Sequence, residues 1–150
     1  MSISENIKKY KAELKDVSLV AISKTKPIAD IQEAYHAGQR LFGENKIQEM
    51  TEKWEELPKD IEWHMVGHVQ RNKVKYMAPY VGLIHAVDSL KLLKEIDKEA
   101  KKNNRVIKCL LQIKIADEDS KFGISAEEAE AILKSEKLAE MENLKVTGLM

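Results

Sequence analysis

"VSLVAISKTKP", residues 17 to 27, is an apolar run that ends abruptly in two lysines and a proline. Residues 17–23 read as a buried strand, with Lys24 and Lys26 at its exit. Side chains alternate along a strand, so Val20, Ile22 and Lys24 point one way and Ala21 and Ser23 the other. If the strand continues to Pro27, Lys26 shares the Lys24 side, roughly 7 Å further along. Pro27 favours that, because the residue before a proline prefers extended backbone. A lysine at a strand end is ordinarily a solvated side chain. The alternative is chemistry. A neutral amine attacks a carbonyl, and both a low-dielectric site and a neighbouring cation favour the neutral form. Lys24 beside Lys26 has the ingredients of a Schiff-base lysine.

Outward from this stretch, apolar runs alternate with helical patterns. Strands are expected at 17–23, 40–44, 62–67, 82–87, 106–115 and 144–150, and helices at 28–37, 46–56, about 70–77, 89–102 and 125–139. Ser89 can cap a helix whose Leu92, Leu93, Ile96 and Ala100 share a face. Ser125 with Glu128 has the spacing of a capping box. The N-terminal "MSISENIKKYKAELKDVS" reads as an amphipathic helix. Strands alternating with helices imply a parallel sheet with helical crossovers. Six such units suit an open doubly wound sheet or part of a (β/α)8 barrel. A whole barrel takes ~250 residues, with ~200 as a lower limit, so length alone favours the open sheet. Against it, "SKTKP" lacks the glycine-rich turn that usually follows the first strand of a nucleotide-binding sheet.

The chain has 150 residues and shows no linker, which implies a single domain over 1–150. Its 25 basic residues balance 25 acidic ones, giving no electrostatic case for nucleic acid or an anionic membrane. There is no transmembrane stretch and no secretory leader pattern. Cys109 is the only cysteine, sits in an apolar run and reads as a buried inert thiol, in keeping with the cytoplasm. The sequence stops at "VTGLM", within a strand pattern. An unprotected strand edge invites pairing, so the expectation is an incomplete barrel whose open edges favour self-association or a covering segment.

Three further stretches offer chemistry. In "FGEN", Gly43 permits close backbone approach and Asn45 brings a donor and an acceptor to the second strand's exit, unless it simply caps the next helix. In "WHMVGHVQRNK", His64 and His68 have an H-x-x-x-H spacing. On a strand those four residues span ~13 Å, which excludes one shared metal. His64 reads as a buried imidazole or as a pocket wall. In "IADEDSKFGIS", the acidic triplet lacks calcium-loop spacing, and Lys121 could bring a third amine to the same rim.

The segments "AISKTKP", "AGQRLFGENKIQE", "EWHMVGHVQRNK", "HAVDS", "LLQIKIADEDSKFGIS" and "VTGLM" match, in order and spacing, the pyridoxal-phosphate homeostasis protein family. That family in turn resembles the N-terminal barrel of alanine racemase. The resemblance covers essentially the whole chain. It implies a (β/α)8 TIM-barrel-like fold of the fold-type III class, here incomplete with about six β/α units. It implies pyridoxal 5′-phosphate linked to Lys24, with Lys26, Asn45 and Lys121 at or near the cofactor, and His64 joins them as a candidate pocket residue. It also implies that a serine- and glycine-rich phosphate cradle lies in strands beyond the sixth. The function so implied is buffering or delivery of the cofactor inside the cell, with no catalytic residue assigned. A pyridoxal-phosphate-dependent amino-acid racemase and a cofactor-free Schiff-base aldolase are the alternatives. Tyr10, Tyr35, Tyr76 and Tyr80 fall in helical or loop patterns, which speaks against the racemase.

Overall fold

The computed structural model describes residues 1–116 and 122–150. Six strands form one parallel sheet: β1 (Ala21–Ile22), β2 (Leu41–Glu44), β3 (Glu62–Met65), β4 (Leu83–Val87), β5 (Ile107–Leu111) and β6 (Leu144–Leu149). Their order in space is their order in sequence. A doubly wound sheet reverses its strand order partway across. This one does not, so the length-based preference for it is overturned. The architecture is that of a (β/α)8 barrel laid open: β1 and β6 are the two edges, and the sheet is not closed.

The helices are α1 (Ile3–Glu13), α2 (Ile28–His36), α3 (Ile47–Glu56), α4 (Val74–Met77, entered through a 3₁₀ turn at Arg71–Lys73), α5 (Leu90–Lys102), α6 (Ala126–Lys134) and α7 (Glu136–Ala139). Among the described residues no helix is long and apolar enough to cross a membrane. The capping signals act as read. The Ser89 hydroxyl accepts from the Leu92 amide at 3.1 Å, and Ser125 accepts from Glu128 at 3.1 Å. The expected single helix at 125–139 is two. The Ser135 hydroxyl donates to the Ile132 carbonyl and accepts from the Leu138 amide, so it ends α6 and caps α7.

The core lies between the helices and the outer face of the sheet. Phe42, Trp63, Met65, Ile84, Cys109 and Leu111 meet Met50, Val74, Met77, Leu93 and Ile96, all buried. The Phe42 and Trp63 rings sit 5.9 Å apart on adjacent strands. Burial pushes the Cys109 thiol up to about 12, so it stays protonated and inert.

The first strand is shorter than its apolar run. Over 17–20 the chain makes no ladder, because the buried Gln39 side chain takes that place. Its amide donates to the Leu19 carbonyl at 2.6 Å and the Leu41 carbonyl at 2.7 Å, bridging the two strands before their backbones pair. The fifth strand stops at Leu111 rather than 115; beyond it only an isolated bridge, Ile113 to Ile124, remains parallel.

The other face of the sheet corresponds to a barrel interior. Ile22, Gly43 and His64 are register partners on it, as are Leu83, Lys108 and Lys145. His64 is buried there. Its Nε2 lies 2.6 Å from Glu62 Oε2 and its Nδ1 3.0 Å from His85 Nε2. A carboxylate only accepts, so His64 Nε2 carries a hydrogen toward Glu62. Burial and, second, the proximity of His64 lower the His85 pKa.

Two outcomes follow. Ile96 is fully buried, and Ile96→Ala should cost about 2–5 kcal/mol in denaturant unfolding, with the slope unchanged. His85 resists protonation when folded but takes a proton near 6.5 when unfolded. Its contribution to stability is therefore present above about pH 6.5 and lost as the pH falls through the lowered folded value. Thermal midpoints between about pH 7.5 and about pH 5.5 should fall with acidity, and His85→Gln should flatten that slope.

Candidate functional site

The strand exits form a rim, the usual place for a site in a parallel α/β fold. Lys24 sits on it, exposed, one residue beyond the last ladder bond, in which Ser23 N–H donates to the Gly43 carbonyl at 2.9 Å. The strand does not run on to Pro27. Residues 23–26 make a turn, closed by the Lys26 amide donating to the Ser23 carbonyl at 3.1 Å. Thr25 takes the left-handed conformation, with φ 62°. Strand alternation therefore fails at this point, and Lys26 is not the next side chain on the Lys24 face. It lines instead a cleft of about 340 Å³ at the free edge of β1, with Ile3, Ile7, Ile22 and Asp30.

Behind the turn lies a polar cluster that the sequence reading missed. The Lys53 ammonium, its side chain only 7% exposed, donates to the Ser23 carbonyl at 2.8 Å, to Glu44 Oε2 at 2.9 Å and to Glu49 Oε2 at 2.7 Å. The Ser23 hydroxyl donates to the same Glu44 oxygen. Glu49 Oε2 also accepts the Thr25 amide at 2.7 Å. The two carboxylates respond in opposite directions. Burial raises Glu44 above the usual carboxylate range, against the pull of Ser23 and Lys53. The hydrogen bond from Lys53, with that from Thr25, lowers Glu49. Two signals were available: Glu44 alternates with Phe42 toward the core, and Glu49 and Lys53 have i, i+4 spacing on a helix.

Asn45 stands exposed at the exit of β2 and does not cap α3; the N-cap position is Lys46, without a side-chain cap bond. Asn45 is packed against Gly67 at the exit of β3. A Cβ on Gly67 would fall 2.3 Å from Asn45 Oδ1 and 2.5 Å from its carbonyl oxygen, so only glycine fits. Asn45, Met65, His68 and Lys73 line a second cleft of about 310 Å³. His68 closes it on one side, its ring stacked on Phe122 with centroids 3.9 Å apart. Gly123, at φ 99°, donates its amide to Asp88 Oδ2 at 3.3 Å, tying the segment after β5 to the exit of β4. Asp88 was the other residue missed, in "HAVDS". Lys121 and the acidic triplet lie outside the described residues.

His64 stands apart from this rim. It lies one side-chain layer below the exits, with both ring nitrogens engaged by Glu62 and His85. Among the described residues, no group of three or more His, Cys, Asp or Glu side chains is placed to hold a metal ion.

Comparison with known proteins agrees with the fold. The family model of the alanine racemase N-terminal domain matches residues 1–150. The pyridoxal phosphate homeostasis protein of Aquifex aeolicus is 41% identical over 133 residues, which cover 88% of this chain and 58% of that protein. The protein of the same name from Pseudomonas aeruginosa is 34% identical, covering 99% of this chain and 69% of its own length. The solved structure of PipY from Synechococcus elongatus, with PLP bound, superposes with a TM-score of 0.90 at 36% identity, covering 99% of this chain and 69% of PipY. The chain thus spans little more than half the length of the Aquifex relative. On the family match across its whole length and on these relatives, the chain belongs to the alanine racemase N-terminal domain family, among its pyridoxal phosphate homeostasis proteins.

Proposed function

We propose that this chain binds pyridoxal 5′-phosphate through Lys24 and holds or hands on the cofactor in the cytoplasm, without catalysing a reaction on it. The observation that carries this reading is the Lys24 turn. It presents an exposed amine at a strand exit, on a backbone fixed from both sides by the Lys53 cluster. The cofactor supplies an aldehyde. Lys24 Nζ, once neutral, is the group available to condense with it, losing water. The names of the relatives and the PLP-bound PipY structure support the ligand.

The residues present suit the aldehyde end of such a ligand. Asn45 brings an amide to the rim, and the His68–Phe122 pair brings a flat apolar wall. Lys26 faces the other cleft and acts there as a cation near the turn rather than as a second wall. His64 serves as floor, since its nitrogens are already engaged. Lys121 is retained on the resemblance alone.

The positions of the tyrosines support a holding role. Racemisation in this fold class needs a proton carrier on each face of the substrate. The Tyr35 hydroxyl is hydrogen-bonded to Asp60 and that of Tyr80 to Thr51, among the helices, while Tyr10 and Tyr76 are exposed on α1 and α4.

Incubation with pyridoxal 5′-phosphate, borohydride reduction and peptide mapping should place the label on Lys24, and Lys24→Ala should abolish it. A label found chiefly on Lys26 or Lys121 overturns the assignment. Turnover of an L-amino acid to its enantiomer overturns the holding role. Gly67→Ala should displace Asn45 and weaken binding by about tenfold, the equivalent of one lost polar contact, with the label still on Lys24. An absorbance titration measures it.

A further inference from the structure

The conformation of Thr25 is the starting point. A β-branched residue at φ 62° is an outlier, and such backbone persists only where its surroundings over-determine it. Here the surroundings are three charged side chains. The Thr25 amide is held by Glu49 Oε2 at 2.7 Å, and Glu49 is held by Lys53 at 2.7 Å. Lys53 also holds the Ser23 carbonyl at 2.8 Å and Glu44 at 2.9 Å. A lysine ammonium has three N–H groups, and all three are engaged. Lys24 is therefore the one residue between two clamped backbone groups, the Ser23 carbonyl before it and the Thr25 amide after it.

We propose that Lys53, acting through Glu49, is a positioning residue for Lys24: it fixes the strained turn so that the amine is presented at the rim in one orientation. This rests on the reading of Lys24 as the cofactor lysine. A brace serving stability alone has little reason to take this form. An ammonium buried among carboxylates is seldom more stabilising than apolar packing of the same volume. The outer link, Glu49 to the amide of the exposed Thr25, lies outside the apolar core. What the outer link does fix is the direction of the backbone on either side of Lys24. Neither Lys53 nor Glu49 lines the cleft beside Asn45.

Three variants test this: Glu49→Ala, Glu49→Gln and Lys53→Met. Glu49→Ala changes a partly exposed helix position to the best helix former, so folding is retained. Three readouts apply. Two need no cofactor: amide exchange of Thr25, and competitive reductive methylation of Lys24 against Lys26 mapped by mass spectrometry. The third is the rate of imine formation with pyridoxal 5′-phosphate. In Glu49→Ala, Thr25 exchange should quicken and the imine rate should fall, each by about tenfold, as expected for one charge-assisted hydrogen bond. The Lys24 to Lys26 labelling ratio should change, and the thermal midpoint should fall as well, because one N–H of the buried Lys53 ammonium loses its acceptor. Glu49→Gln, which can still accept from Thr25, should recover part of the rate. Lys53→Met should show the same losses with a lower midpoint. A lowered midpoint with unchanged labelling ratio and imine rate makes the cluster a plain brace and overturns the proposal. A label on Lys24 with unaltered rates in all variants overturns the positioning role alone. A label away from Lys24 overturns the cofactor reading and the positioning role with it.

Discussion

Removing an ammonium from water is costly unless every N–H finds an acceptor, and the ends of β1, β2 and α3 are arranged around that requirement at Lys53. The acceptors come from three elements: a backbone carbonyl at the end of β1, a buried carboxylate at the end of β2, and a partly exposed carboxylate on α3. One cation is thus shared between two acids. The acid in the core, Glu44, bears the desolvation and is raised; the acid toward solvent, Glu49, gains the hydrogen bonds and is lowered. Neutral side chains could fill this volume. They could not hold the Ser23 carbonyl and, through Glu49, the Thr25 amide together.

The two faces of the sheet follow different rules. The helix-covered face is apolar and almost wholly buried, because α3, α4 and α5 pack on it directly. The opposite face would be the inside of a barrel. With the sheet unclosed, Ile22 at the β1 edge is 52% exposed. Polar residues occupy the middle of that face, where Glu62, His64 and His85 satisfy one another. The resemblance to a barrel was read from motifs. The parallel sheet in sequential order is its physical counterpart, and neither length nor periodicity alone would have separated it from the doubly wound alternative.

Much of the fold was legible because its signals are local. Ser89 and the Leu92, Leu93, Ile96, Ala100 stripe announce α5, and the apolar runs locate all six strands. Lys24 was legible as a strand-exit residue. What escaped depended on contacts distant in sequence. Nothing local predicts a left-handed threonine at 25; the cause is Glu49, on the next helix but one. Nothing local marks Lys53 as buried, because a lysine on an amphipathic helix ordinarily faces water. Gln39 falls between an expected helix and an expected strand, yet its side chain does the work of a ladder. The serine at 135 was passed over inside an otherwise continuous helical pattern, where its backbone competition is decided by three residues on either side.

These misses share a location. β1 has only two ladder residues and one neighbouring strand, so backbone pairing alone holds it weakly. Side chains from other elements supply the rest: Gln39 before the strand begins and Lys53 after it ends. The strand that carries Lys24 is therefore fixed chiefly by two long polar side chains reaching across from its neighbours. Such a segment belongs to the low-stability end of a protein, the end from which ligand-binding elements are drawn. It is also where a side chain can set backbone geometry that a ladder would not permit. A continuous strand through 27 would have placed Lys24 and Lys26 on one face, two cations competing for one small space. Ending the strand early and turning at Thr25 separates the two amines: Lys26 lines the cleft at the free edge of β1, and Lys24 stays exposed at the strand exit.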